Sequence, residues 1–180
     1  ELKPVLRGVI LGVLVVTLLQ PGEAYLIPLF YLLQQLHLGD AVTGLVLAEV
    51  ARELPFAILL LWIFIRALPA DLVGAAELEA GLGFQMLWRI IAPLTAPVAA
   101  AVALWVFVTS WSEATLPNIL LNNSSIITAP VALKTFAGVH DTEFNLLAAG
   151  TLLLVLPVVV ALLIAYGPAA RGLRSAGKAI

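Results

Sequence analysis

The chain has 180 residues, of which 62% are hydrophobic and 11% charged, with a net charge of −2 at pH 7 and a mean hydropathy of +1.10. Because soluble domains are about 25% charged, this composition excludes an ordinary soluble protein and indicates a membrane protein. The absence of cysteine excludes disulfides and thiolate metal sites, and the absence of a basic run argues against a nucleic-acid partner.

Four apolar stretches of the sequence are long enough to cross a membrane. A spanning helix needs roughly 20 apolar residues, because a rise of about 1.5 Å per residue must cross about 30 Å of hydrocarbon. Prolines inside these stretches remove backbone hydrogen bonds and favour kinked helices. We therefore predict an all-α transmembrane bundle that forms a single domain over residues 1–180, with spans at residues 8–33, 41–65, 93–112 and 146–167.

The first predicted span contains Pro21 and Pro28, and Glu23 lies near its middle. A proline in a helix leaves a backbone carbonyl without its donor. Glu23 is therefore a candidate either for lining a solute pathway or for acting at a hinge.

The second predicted span carries three charged residues, Glu49, Arg52 and Glu53. Each ion near the bilayer centre costs about 2.5 to 3.5 kcal/mol, so these side chains cannot face lipid. The spacing of three predicts that Arg52 pairs with Glu49, which leaves Glu53 either protonated or with another partner. Two roles stay open: a polar lining of a solute pathway, or a structural pair against a second subunit.

The segment at residues 68–92 interrupts the apolar sequence. Its first part, from Pro69, predicts a short helix, and its second part predicts another over residues 84–91 that lies on the lipid headgroups until Pro93 begins the next span. Glu77 and Glu79 would be repelled by anionic lipid. We therefore expect the first helix to meet a soluble partner.

Trp111 and Glu113 stand at the end of the third span, ahead of an irregular loop at residues 113–145 with a short helix expected from Val131 to Ala137. An aromatic ring and a carboxylate suit a hydroxyl-rich solute, but a tryptophan at the membrane interface is also an ordinary belt residue. His37 and His140 lack the partners that a metal or catalytic site needs, so no such site is predicted.

The basic residues predict the orientation, because cytoplasmic loops are enriched in Lys and Arg. Lys134 lies on one side of the predicted spans and Arg52 within one of them. The other seven basic residues lie on the opposite side of the predicted spans: Lys3, Arg7, Arg66, Arg89, Arg171, Arg174 and Lys178. We therefore expect the segment at residues 68–92 and both ends of the chain to be cytoplasmic, and the loop at residues 113–145 to face outward.

The cytoplasmic segment resembles the EAA loop of permease subunits of bacterial ABC importers, whose motif is Glu-Ala-Ala, three residues, Gly, nine residues and Ile-x-Leu-Pro. Aligned on Ile90-Ile91-Ala92-Pro93, Gly74 stands at the acid and Ala80 at the glycine, which follows one residue late as Gly81. Further motifs are similar to those of the maltose-type second permease of the carbohydrate branch: Pro21-Gly22-Glu23, Ile27-Pro28-Leu29-Phe30, Leu54-Pro55-Phe56-Ala57-Ile58, Trp111-Ser112-Glu113 and the ending from Arg171 to Lys178.

This resemblance, over residues 11–178, implies a six-span permease whose first two spans precede this sequence. It implies alternating-access import of a sugar or polyol, driven by ATPase subunits that bind ATP and Mg²⁺, with a second permease and an external solute-binding protein as partners. The ATPase-docking coupling helix would comprise Gly74, Ala75, Ala76, Glu77, Glu79, Ala80 and Gly81. This chain has no phosphate-binding loop, and neither a cofactor nor a catalytic residue is expected in it.

Two alternatives remain. One is an ion-coupled carrier or intramembrane enzyme that uses Glu49, Arg52 and Glu53 as a relay and works without a partner. The other is an ABC importer for a solute that is not a sugar.

Overall fold

The computed structural model describes residues 4–69, 74, 84–122, 126–136 and 143–176, with only the backbone for Glu23 and for residues 166–176. All regular secondary structure within these ranges is helical. The helices are α1 (Pro4–Leu19), α2 (Leu26–Gln35), α3 (Val42–Arg66), α4 (Phe84–Ser112), α5 (Thr115–Leu120), α6 (Ala129–Thr135) and α7 (Phe144–Ala176).

The predicted first span is not one kinked helix but two helices joined by a short 3₁₀ turn. Helix α1 ends at Leu19, the turn runs from Gly22 to Tyr25, and α2 begins at Leu26. Pro21 causes the break, because it has no N–H to donate and also disfavours helical geometry in the preceding Gln20. The 3₁₀ turn then closes with a hydrogen bond from the N–H of Ala24 to the carbonyl of Pro21, at 3.0 Å.

A tight turn connects α2 to α3. His37 adopts a left-handed conformation with φ of 56°, its N–H donates to the carbonyl of Gln34, and the N–H of Leu38 donates to the carbonyl of Leu33. This pair of bonds is the Schellman arrangement that ends many helices, usually with glycine in the place of His37. The role of His37 shown by the structure is therefore to end α2 through its backbone conformation.

Helix α4 begins at Phe84 and continues through Pro93 without interruption, so the prediction that a separate short helix ends before Pro93 is wrong. Residues Leu87–Ile91 form a π-helical segment, in which the N–H of Ala92 donates to the carbonyl of Leu87, five residues back. In a π turn each N–H donates to the carbonyl five residues back instead of four. This change of spacing lets the helix continue through Pro93, which has no N–H to donate.

The long helices pack in the order α1, α3, α4 and α7, with α4 between α3 and α7. Helix α5 packs against α2 and α3, and α6 lies between α5 and α7, beginning two residues before the predicted helix. By length and composition, Phe84–Ser112 and Phe144–Ala165 could each cross a membrane; α3 has 25 residues but carries charges in its middle. The buried side chains form one cluster, named here the α2–α3–α5 cluster: Leu33, Leu45, Ala48, Leu116, Leu120 and Leu121.

Candidate functional site

A cavity of about 420 Å³ lies where the break between α1 and α2 faces the middle of α3 and α4. The break matters because the lost helical turn leaves room beside α3. Most of the wall is apolar, with a few polar groups among the apolar ones, as is typical of small-molecule sites. The lining includes polar, charged and aromatic side chains, among them Gln20, Tyr25, Arg52, Glu53, Trp105 and Thr109.

Arg52 is the centre of a charged cluster at this cavity. Its Nε lies 3.2 Å from Oε1 of Glu53, and its NH1 group pairs with Oε2 of Glu113 at the end of α4. The predicted pair of Arg52 with Glu49 is not among the ion pairs of the described residues, and Glu49 lies near Ser110 of α4 instead. A guanidinium group has several donors, so Arg52 can hold two carboxylates at once.

Glu113 connects three helices through its two carboxylate oxygens. Oε2 pairs with Arg52 of α3, while Oε1 accepts the backbone N–H groups of Thr115 at 2.7 Å and Leu116 at 3.3 Å, at the start of α5. Burial alone would raise the pKa of the Glu113 carboxyl, but these hydrogen bonds outweigh it and the pKa lies below its ordinary value. Glu113 therefore stays ionised.

A second, smaller cavity of about 80 Å³ lies on the Glu113 side of the first. Gly22, Tyr25 and Arg52 line both cavities, and Glu113 lines the smaller one. The pair of Arg52 with Glu113 thus stands at the boundary between the two spaces.

The structure separates the six predicted pathway residues into groups. Arg52, Glu53 and Glu113 come together at the cavities. Glu49 contacts α4 through Ser110, and the side chain of Glu23 lies outside the described residues. Trp111 faces α7, because its indole N–H donates to the carbonyl of Leu154 at 2.9 Å and its ring stacks on Phe107 with centroids 5.8 Å apart.

The predicted docking residues fall almost entirely outside the described residues. Only Gly74 of this group is described, and it is exposed with open space around its Cα. Ala75, Ala76, Glu77, Glu79, Ala80 and Gly81 lie in the range 75–83 that the structure does not describe.

A family model described as "Binding-protein-dependent transport system inner membrane component" matches residues 1–175. The chain belongs to this family. Its members are inner-membrane components of transport systems and are permease subunits, not enzymes. The family also accords with the apolar helices and with a location in the membrane.

Several proteins named as transport permeases are similar to this chain. It is 38% identical to a putative ABC transporter permease of Streptomyces antibioticus over 81% of this chain and 64% of that protein. Identity to the trehalose transport system permease SugB of Mycobacterium tuberculosis is 31%, over 94% of this chain and 62% of that one. The arabinooligosaccharides transport system permease AraQ of Bacillus subtilis is 28% identical, over 86% of this chain and 54% of that protein. The chain thus spans roughly half to two thirds of the length of these relatives.

The sequence-based reasoning missed most of the residues that line the cavity of about 420 Å³, among them Gln20, Tyr25, Trp105 and Thr109. A helical spacing of four relates Trp105 to Thr109, and the same spacing relates Arg52 to Ala48 and Phe56, which also line the cavity. Side chains four residues apart share one face of a helix. A search one helical turn before and after Arg52 would have found Ala48 and Phe56.

Proposed function

We propose that the complete protein is the permease subunit of an ATP-driven ABC importer that carries a sugar or a related polyol into the cell. Family membership supports the transport role, and the named substrates of the SugB and AraQ relatives support the solute class. Because this chain corresponds to only part of those relatives, the proposal concerns the whole subunit.

The observation that carries the proposal is the charged cluster at the break between α1 and α2. Discontinuous helices commonly build the solute sites of membrane transporters. Arg52 and Glu53 offer a donor and an acceptor for hydroxyl groups, while Trp105 and Phe56, with ring centroids 5.4 Å apart, offer apolar faces on which a sugar ring can stack. A hydroxyl-rich solute needs both kinds of contact.

The segment at residues 68–92 is proposed to be the coupling loop that docks on the ATPase, with Ala76 at its centre. Helix α4 supports this role, since its 29 residues form a rod of about 43 Å that starts at Phe84 within this segment and ends beside Glu113. A displacement of the loop would move the far end of α4 relative to α3. The pair of Arg52 with Glu113 would then break or form in step with ATP binding.

We propose that the start of α1 and the end of α3 face the cytoplasm, together with both ends of the chain, and that four spans make up this part of the subunit. Arg7 and Arg66 support a common side, because both contact the ring of Trp62. The excess of basic residues on that side supports the cytoplasm as its identity.

The test is uptake by the complete subunit reconstituted in proteoliposomes with its ATPase, its second permease and its binding protein. Labelled trehalose, an arabino-oligosaccharide and a dipeptide would be offered in turn. We expect uptake of at least one sugar that requires ATP. Ala76→Arg should abolish uptake while ATP hydrolysis continues, and Ala129→Arg, the same change on α6, is the matched control.

Three results would contradict the proposal. Uptake by the subunit alone, without ATPase or ATP, would indicate an ion-coupled carrier. Uptake of the dipeptide but of neither sugar would indicate an importer for another solute. Normal uptake by Ala76→Arg would remove the coupling role of the loop.

A further inference from the structure

Two arginine side chains meet on one tryptophan ring where α1 begins and α3 ends. The guanidinium carbon of Arg7 lies 5.2 Å from the centroid of the Trp62 ring, and that of Arg66 lies 5.8 Å from the same centroid. Contact with the face of a ring orients a guanidinium group but leaves the N–H donors at its edge available. Two sets of donors are thus held beside a single aromatic platform.

Neither arginine has a carboxylate partner among the residues that the structure describes, where the ion pairs are those of Arg52. Their guanidinium carbons lie 5.2 Å and 5.8 Å from the same ring centroid, so the two positive charges are within about 11 Å of each other and repel, more strongly near lipid than in bulk water because the dielectric constant is lower. An anion that contacts both would remove that repulsion. The local charges therefore favour an anionic ligand.

The surface around the two arginines is apolar and exposed. On α1, Ile10 is 42% exposed, and on α3, Ile63 is 55% exposed. Each lies three residues from the arginine of its own helix, Arg7 or Arg66, and therefore on the same face of that helix. A free phosphate ion gains nothing from such a surface, whereas the acyl chains of a lipid can lie along it.

We propose that Arg7, Trp62 and Arg66 form a binding site for the phosphate of an anionic phospholipid headgroup, whose acyl chains lie along α1 and α3. Guanidinium groups hold phosphate oxygens through paired, charge-assisted hydrogen bonds. Tryptophan is enriched at the depth of the headgroups. The bound lipid bridges the start of α1 and the end of α3, two elements that are 55 residues apart in the sequence at their contact on Trp62.

The test measures equilibrium binding of fluorescent phosphatidylglycerol and phosphatidylcholine to the complete, assembled transporter in detergent. We expect the wild type to bind phosphatidylglycerol more tightly, and Arg7→Gln and Arg66→Gln each to weaken that binding about fivefold, the effect of one basic residue near an anionic headgroup. Arg66→Lys keeps the charge and should lose less. Arg89→Gln, which removes one exposed arginine from the start of α4, is the matched control and should leave the affinity unchanged.

The possible results are distinct. Equal affinity of the wild type for the two lipids would overturn the proposal. A loss in Arg89→Gln as large as that in Arg66→Gln would show a general attraction of basic residues to the headgroups and would also overturn it. Complete competition by inorganic phosphate at the same concentration as the lipid would reject the lipid as the ligand. Should Arg66→Gln fail to assemble, Arg66→Lys and Arg7→Gln provide the same comparison.

Discussion

The α2–α3–α5 cluster and the long helices α1 and α7 are all rich in apolar side chains, but those side chains are buried in the cluster and largely exposed on the two helices. In the cluster, Leu116 is 2% exposed and Leu120 is 3% exposed. In α7, Leu152 is 73% exposed, and α1 contains no fully buried residue. In a bilayer an apolar side chain gains little by leaving lipid for protein, so hydrophobicity alone does not determine where the core forms.

The cluster forms where the backbone approaches closely and where charged residues must turn inward. Gly44 lies so near the carbonyl of Leu38 that a Cβ there would come within 2.2 Å of the oxygen. The N–H of Asp40 also donates to the carbonyl of Leu120, at 3.1 Å, which fastens the turn after α2 to α5. Backbone contacts and ion pairs, more than apolar content, therefore distinguish the packed region from the exposed helices.

Replacing the most buried leucine should produce the largest effect on stability. Leu116→Ala removes a fully buried side chain and leaves a cavity, so the free energy of unfolding of the complete protein in mixed micelles should fall by about 2 to 5 kcal/mol. Leu152→Ala, on the exposed helix α7, should change it by less than about 0.5 kcal/mol. Equal losses in the two variants would mean that another part of the assembly buries α7 as deeply as the cluster.

A pair of glycines makes the same comparison with a single added methyl group. Gly44→Ala places a Cβ against the backbone of Leu38, and overpacking of this kind costs about 1 to 3 kcal/mol. Gly12 in α1 has open space around it, so Gly12→Ala should be neutral or stabilise the helix by up to about 1 kcal/mol. Thermal unfolding of the two variants side by side measures the difference, and a stabilising Gly44→Ala would be inconsistent with the close contact.

The helical character of the protein could be predicted from its sequence because each apolar stretch is long and the spacing of a helix is local. The predicted extent 41–65 lies within one residue of α3 at each end, whereas α4 ends where the extent 93–112 ends but begins nine residues earlier. The break at Pro21 and the continuity through Pro93 could not be predicted in the same way. A proline removes one donor in either case, and only the neighbouring backbone decides between a break and a π turn.

The charged cluster could be predicted only in part. The cost of a charge in lipid correctly indicated that Arg52 and Glu53 face protein. The partner of Arg52 was predicted to be Glu49, from the spacing within one helix, whereas the structure gives Glu113, which is 61 residues away. A contact between helices depends on their packing, and spacing along one helix carries no information about it.

The pair of Arg52 with Glu113 joins the cluster to the end of α4, and a double-mutant cycle measures its strength. The two side chains are 22% and 19% exposed, so solvent weakens the pair, and we expect a coupling energy of about 1 to 2 kcal/mol between Arg52→Gln and Glu113→Gln. The control cycle combines Arg66→Gln with Glu113→Gln, which share no contact and should be additive within about 0.5 kcal/mol. Additivity in both cycles would show that the pair of Arg52 with Glu113 contributes nothing to stability.

The two tryptophans of α4 provide the smallest and most discriminating change. Trp111→Phe removes the hydrogen bond to Leu154, and bonds between helices in membranes are worth about 0.6 kcal/mol, so stability should fall by that amount while the KM for uptake stays unchanged. Trp105 lines the cavity instead, so Trp105→Leu should raise KM by removing the aromatic face. A raised KM in Trp111→Phe with normal stability would indicate that Trp111 contacts the solute. The direction in which each ring faces therefore distinguishes a residue that joins α4 to α7 from one that lines the cavity.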